Sequence, residues 1–253
     1  MNPLSRRQLL QQSGALCGTA AALVHLPLAD RLDAASPSGK LKVVVAGGHP
    51  DDPETGCGGT IARYADLGHE VVSLYLTRGE AGVAGKSHQE AAQIRTAECQ
   101  RACAILGCRP LFAGQVDGAT QVDPARYQEF RGLLAKERPD VVFTHWPIDA
   151  HRDHRAVSLL VFDAWLAAGK GFALYYFEVM SGVQTSHFDA TDYVDITATE
   201  PRKRDATMAH ASQNPAGMYA HHDKMNRFRG LECGRKFAEA FIRHQQSAVV
   251  ATP

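Results

Sequence analysis

The sequence lacks any surplus of charge: 27 lysines and arginines meet 27 aspartates and glutamates, for a formal net charge of +0. That balance argues against a partner such as nucleic acid or an anionic membrane, which selects a basic surface. No repeat is sustained, and the 22 glycines and 12 prolines follow no period, which excludes collagen-like, coiled-coil and low-complexity classes. No apolar run is long enough for a comfortable transmembrane helix. The best stretch, from about Gly14 to Leu28, is interrupted by His25 and Pro27, so stable membrane insertion is not expected. Cysteine offers no framework either. Once Cys17 is set aside with the N-terminal segment, Cys57, Cys99, Cys103, Cys108 and Cys233 remain, an odd set with no zinc-knuckle spacing. Cys99 and Cys103 stand one helical turn apart, a poor geometry for a disulfide. Most of the five read as small buried side chains, with one bridge open to them in an oxidising compartment.

What is present is a 253-residue chain, 45% hydrophobic and 21% charged, long enough for one large α/β domain or two small ones. It carries 12 histidines, more than packing alone needs. At the N-terminus, Ser5-Arg6-Arg7-Gln8-Leu9-Leu10 precedes an Ala-rich apolar stretch, and small residues follow at Ala34-Ala35-Ser36. This order predicts that residues 1–35 are a cleaved export signal of the twin-arginine type, which places the protein in the periplasm or outside the cell. The alternatives are a signal-anchor that stays attached and a chance basic amphipathic N-terminus. Leu16 before Cys17 argues against a lipid-attachment site, which wants a small residue there.

Beyond Ser36-Pro37-Ser38-Gly39 the pattern alternates. Strands are expected at Leu41–Ala46, Glu70–Thr77, Pro110–Ala113, Asp140–Thr144, Ala173–Met180 and Thr191–Ile196. Helices are expected at Thr55–Leu67, His88–Leu106, Asp123–Glu137, Asp153–Ala168, Glu200–Ala211 and Met225–Ile242. Alternating strands and helices predict a single α/β domain over residues 40–245: a Rossmann-like, mostly parallel sheet with helices on both faces.

Ligands of such sheets collect beyond the carboxyl ends of the strands. Two polar clusters fall there: Gly47-Gly48-His49-Pro50-Asp51-Asp52-Pro53-Glu54 after the first strand, and His145 to His154 (HWPIDAHRDH) after the strand ending at Thr144. Imidazoles with a carboxylate suit a catalytic zinc, which takes three protein ligands and keeps one position open. Each cluster also has a plainer explanation. Asp51 and Asp52 can simply favour a helix N-terminus, and His151 and His154 can be a solvated helix face. A dinucleotide site is the weaker reading, because the glycines here are followed by two carboxylates that would repel a pyrophosphate. Gly56-Cys57-Gly58-Gly59 arrives inside the helix and reads as an allowance for close packing.

The segment AGGHPDDPETGCGGTIARYADLGHEVVSLYLTRGEAG, with HRDHRAV downstream, resembles the PIG-L/LmbE family of zinc-dependent N-deacetylases. Asp117-Gly118, Phe177-Glu178 and His210-Ala211-Ser212-Gln213 extend the likeness over most of residues 41–215. The resemblance implies His49, Asp52 and His154 as zinc ligands, with ferrous iron able to use the same set. It implies Asp51 as general base and then acid, and a protonated His151 facing the reacting carbonyl. Asp153 is implied behind the histidines, orienting one. Arg78 and Glu80 are implied in substrate binding, Glu80 by steadying its loop, and His210 as a group that fixes a loop. Two positions depart from the family: Pro53 separates Asp52 from Glu54, and Asp149 stands where some relatives carry an aromatic hydroxyl. Trp146 and Tyr219 could wall a sugar, although packing suits Trp146 better.

The implied reaction removes an acetyl group from an N-acetylglucosamine-type sugar through zinc-activated water. Two alternatives stay open at this point: a zinc amidohydrolase of a non-sugar amide, and a non-catalytic sugar-binding protein. The expected partner is a small-molecule or glycan substrate, and the sequence says nothing of oligomeric state.

Overall fold

A computed structural model describes residues 39–250 and 252–253; the segment expected to direct export, residues 1–35, lies outside them. In chain order the elements are β1 Lys42–Gly47, α1 Asp52–Asp66, β2 Glu70–Tyr75, α2 His88–Leu106, β3 Arg109–Phe112, α3 Pro124–Glu137 and β4 Val141–His145. They continue with α4 Arg152–Ala167, β5 Ala173–Phe177, β6 Asp192–Asp195, α5 Glu200–Met208, a 3-10 turn at Ala211–Gln213, α6 Pro215–Cys233 and β7 Ala238–Arg243.

Local chemistry accounts for the boundaries. Ser87 accepts from the Glu90 N–H while Glu90 reaches back to Ser87 N–H, a reciprocal cap that starts α2. Asp123 caps α3 ahead of Pro124, whose missing N–H costs nothing in a first turn. Gly107, at φ +80°, ends α2. The β1 run Val43-Val44-Val45-Ala46 is buried on both faces. Val43 and Val45 join one core with Ile61 of α1 and Leu106 of α2, while Val44 and Ala46 join another with Phe130 of α3 and Leu160 of α4. The period of two thus divides one strand between two helical layers.

The seven strands run β3-β2-β1-β4-β5-β7-β6. The first five are mutually parallel. Strand order reverses between β1 and β4, so the loops leaving these two neighbours open a crevice at the carboxyl edge. The expected α/β domain with a mostly parallel sheet is the one found.

The C-terminal expectation needs correction. Met225–Ile242 is not one helix. It is the second half of α6, which stops at Cys233 with Gly234 at φ +71°, followed by strand β7. β7 enters antiparallel between β5 and β6 and makes the sheet mixed. Phe241 supplies the drive, packing on Phe143 at 4.8 Å between ring centres. A helix carried through Gly234 would leave that aromatic out of the core. Two smaller shifts matter for the site: α1 starts at Asp52 rather than Thr55, and β5 stops at Phe177, freeing Glu178–Met180 to form a loop.

The glycines of α1 do permit close approach. A Cβ at Gly56 would stand 2.5 Å from the Phe177 ring, and one at Gly59 would stand 2.4 Å from Ile196. The five cysteines of the described residues are unpaired. No helix among the described residues is long and apolar enough to cross a membrane.

Candidate active site

The β1–α1 loop turns sharply at Asp51, which sits at φ 112°, a backbone region that residues with a side chain rarely occupy. The turn lets Asp52 begin the helix and face back across the loop. Its Oδ2 accepts from the His49 backbone N–H at 2.7 Å and lies 3.2 Å from His49 Nδ1. At Gly48 an added Cβ would meet His154 Cδ2 at 3.0 Å, so glycine lets this loop approach α4. From β4 and the start of α4 come His145, Asp149, His151, Asp153 and His154.

Asp52 joins the two clusters. Its Oδ1 lies 3.3 Å from His154 Nε2, and its Oδ2 lies 3.2 Å from both His49 Nδ1 and His145 Nε2. His49 and His154 stand 5.3 Å apart between ring centres, and His151 stands 4.6 Å from His49 and 4.7 Å from His154. His145 stacks on His154 at 3.9 Å. Behind His154, Asp149 Oδ1 takes Nδ1 at 3.1 Å. Behind His49, Nε2 lies 3.1 Å from both Asp153 Oδ2 and Asp117 Oδ1. Asp153 is held in turn by Gly118 N–H at 2.8 Å and the Thr120 hydroxyl at 2.6 Å. Both histidines are therefore braced on one ring nitrogen by a carboxylate, with the other nitrogen aimed at Asp52. A histidine poised to bind a metal has this arrangement.

Titration reflects the crowding. Burial works to lower the pKa of His49, but hydrogen bonds to Asp117, Asp153 and Asp52 hold it well above the usual range. Burial likewise opposes the charge on His154, yet the Asp52 carboxylate and the Asp149 hydrogen bond lift it to about 9. His145 goes the other way, to about 4, through burial and the neighbouring charge on His154. Burial and the charges on His49 and His154 also lower His151. Burial opposes ionisation of Asp52, but the charges on His154 and His145 keep it well below the carboxylate range. Asp51 is raised, chiefly by burial, with the nearby Arg95 working against that rise.

Among the described residues, three sets of donor atoms lie within 4.8 Å of one another: His49, His151 and His154; Asp52, His145 and His154; and His49, Asp117 and Asp153. The set His49, Asp52 and His154 is linked pairwise through the two oxygens of Asp52. The donor chemistry fits a divalent cation. Four carboxylates (Asp52, Asp117, Asp149 and Asp153) share the histidines, and a fifth, Asp51, is paired with the guanidinium of Arg95. A cation among the imidazoles would relieve that excess of acid.

These groups floor a cleft of about 790 Å³, whose walls include Ala81, Gly82, Gly118, Met180, Gln184, Gln213 and Met218. Asp51 and His151 both line it. Arg78 and Glu80 do not. The Arg78 guanidinium lies over the Phe112 ring at 4.8 Å. Glu80 Oε2 accepts from the N–H groups of Arg78 and Asp117, each at 3.1 Å, tying two rim loops together. Tyr219 turns its hydroxyl to Glu200, and Trp146 packs on Tyr176 and Phe188, so neither walls the cleft. His210 is fully buried, 3.7 Å from Glu54, whose carboxylate accepts the Asp51 N–H.

Reasoning from the sequence missed Arg95, the bracing role of Asp149 and the place of His145. Asp149 and His145 fall inside a cluster already singled out, and a carboxylate near a ligand histidine is a usable signal. Arg95 has none, because it sits inside a long Ala- and Glu-rich helix.

A model of the PIG-L family, described as GlcNAc-PI de-N-acetylase, matches residues 43–165. The chain is similar to the diacetylchitobiose deacetylase of Thermococcus kodakarensis, with 36% identity over 135 residues, covering 51% of this chain and 50% of that protein. It is similar to the uncharacterized deacetylase YaiS of Escherichia coli, with 32% identity over 131 residues, covering 48% of this chain and 67% of that one. Among solved structures it resembles the N,N'-diacetylchitobiose deacetylase of Pyrococcus horikoshii, with TM-score 0.71 and 25% identity, covering 81% of this chain and 84% of that one. It thus spans about half the length of the Thermococcus protein and about two thirds of the Escherichia one. On these matches, the chain belongs to the PIG-L/LmbE family.

Proposed function

We propose that the protein is a metal-dependent hydrolase that removes an acetyl group from an N-acetylated sugar of the N-acetylglucosamine type. One observation carries the reading. Asp51 and His151 line the same cleft floor as His49, Asp52 and His154, although they come from loops far apart in the chain. Holding a cation or a sugar requires neither a base nor a donor beside the ligands, whereas amide hydrolysis requires both. Relatives named for diacetylchitobiose favour an N-acetyl sugar as the substrate class.

In this reading His49, Asp52 and His154 hold zinc, or ferrous iron with the same donors. Such a cation, when bound, polarises the amide carbonyl and lowers the pKa of water from about 16 to about 7. Asp51 takes a proton from the attacking water and returns it to the departing nitrogen, serving as base and then acid. His151 donates to the oxyanion. Its Nδ1 accepts the Asp153 N–H at 3.3 Å, which leaves Nε2 as the nitrogen that donates. Such a donor is worth about 3–4 kcal/mol to the transition state if it acts as other oxyanion donors do. Amide and water give acetate and a free amine.

The test is acetate release from N-acetylglucosamine and its short oligomers, with and without a chelator. Turnover that stops with chelator and returns with zinc is expected. Asp51→Asn is expected to keep its metal and lose roughly 10³-fold in kcat, within the range for general acid–base catalysis. Full turnover in that variant would remove Asp51 as the base.

A further inference from the structure

Three of the unpaired thiols gather at one end of helix α2, and none of them lines the cleft. Cys103 opens the last turn of α2, and Cys108 follows Gly107, whose φ of +80° turns the chain back. The Cys108 N–H donates to the Cys103 carbonyl at 3.0 Å. That is the six-to-one bond of a Schellman ending, a motif in which the side chains at the two ends commonly meet. Here both side chains are thiols. On β2, Ser73 Oγ lies 3.4 Å from Cys108 Sγ, and the Tyr75 hydroxyl lies 3.3 Å from Cys103 Sγ. Alternate residues on one face of the strand therefore receive the pair.

Cys99 flanks Cys103 from the preceding turn, as Cys108 does from beyond the helix end. Among the described residues the three sulfurs do not all come within 4.8 Å of one another, too wide a spread for one ion to hold. Cys99 is also the poorer partner for a bridge, because a rigid helix holds residues four apart in unsuitable geometry. Cys108 stands outside the helix, where the chain can adjust. It is half-buried while Cys99 and Cys103 are buried, so a small oxidant enters beside Cys108. Hydrogen bonds from Cys108 and Cys99 lower the pKa of Cys103, against the burial that would raise it, and so favour the nucleophilic thiolate there.

We propose that Cys103 and Cys108 are a reversible disulfide site whose oxidant is a small peroxide. The Cys103 sulfur attacks one peroxide oxygen, the O–O bond breaks, water leaves, and Cys103 becomes a sulfenic acid. The Cys108 sulfur then attacks Cys103: an S–S bond forms, the S–O bond breaks, and the hydroxyl leaves as water with the second thiol proton. Two thiols are oxidised while one hydrogen peroxide is reduced to two waters. The site is independent of the deacetylation chemistry proposed above.

The experiment treats the folded full chain with hydrogen peroxide, alkylates the remaining thiols, and maps tryptic peptides by mass without reductant. Trypsin does not cut between Arg109 and Pro110, so Cys103 and Cys108 share the peptide Ala102–Arg126, while Cys99 falls in Thr96–Arg101. The expected product is Ala102–Arg126 lacking two hydrogens and carrying no alkyl group, beside an alkylated Thr96–Arg101. Dithiothreitol before alkylation is expected to return both thiols of the pair. Cys99→Ser should leave the bridge intact. Cys108→Ser should leave Cys103 without a partner, so that peroxide carries it on to a sulfinic acid that dithiothreitol does not reverse. The untreated-sequence protein decides the matter even if a variant fails to fold. A cross-link between Thr96–Arg101 and Ala102–Arg126 would overturn the proposal. So would a pair that stays fully alkylated after peroxide, or one that reaches sulfinic acid without bridging.

Discussion

Two buried ionic clusters touch helix α1, and they are built differently. Around its middle, Glu239 of β7 accepts the N–H groups of Gly59 and Thr60 at 2.9 and 2.8 Å. Lys203 of α5 meets the same carboxylate at 2.7 Å and donates to Asn226 at 3.0 Å. There one acid faces one base, and backbone donors fill the rest. Around the N-terminus of α1, five aspartates, Glu54 and five histidines crowd together with one guanidinium, which is paired with Asp51, and the group opens on a large cleft. Charges balanced one to one inside a protein hold elements in place. A crowd of acids and imidazoles at a cleft has its electrostatics completed by something that binds.

The sharpest way to break this comparison is His154→Ala. It is expected to abolish zinc binding and turnover together, measured by elemental analysis and acetate release, and a variant that kept its zinc would reassign the ligand set. Next comes Lys203→Met, which leaves Glu239 buried without its cation. It should cost about 3–5 kcal/mol of stability in denaturant unfolding while leaving the zinc content of the folded fraction intact. Lost zinc at unchanged stability would show that the two clusters are not separate kinds. Asp149→Asn sharpens the picture further: with the brace behind His154 weakened, zinc affinity in a competition titration should fall about 10–100-fold. Arg78→Ala is expected to do least, moving KM by about threefold or less, because its side chain stacks on Phe112 outside the cleft. A large KM effect would bring Arg78 back to the substrate.

The two clusters also differ in how far the sequence reveals them. His49, Asp51 and Asp52 fall within four consecutive residues and Asp149 to His154 within six, and both runs follow β-branched strands whose ends are where open sheets bind ligands. Lys203 and Glu239 lie in stretches that read as ordinary solvated helix, and nothing local says they are buried. Arg95 is concealed in the same way. The misassigned segment around Gly234 shows the limit from another side, because Ala-Glu-Ala-Phe suits a helix until a slot between β5 and β6 demands a strand. Neighbouring strands, and the burial of Phe241, decide that contest.

The sequence by itself determined the alternation of strands and helices and the two histidine–aspartate runs at strand ends, because hydrophobic period and side-chain chemistry are properties of the chain. Which carboxylate braces which histidine, that Arg95 reaches Asp51, and that Arg78 turns away from the cleft were decided only by tertiary structure. Those contacts join residues remote in sequence. Their distances depend on how helices α2 and α4 settle against the sheet, and no local pattern encodes that.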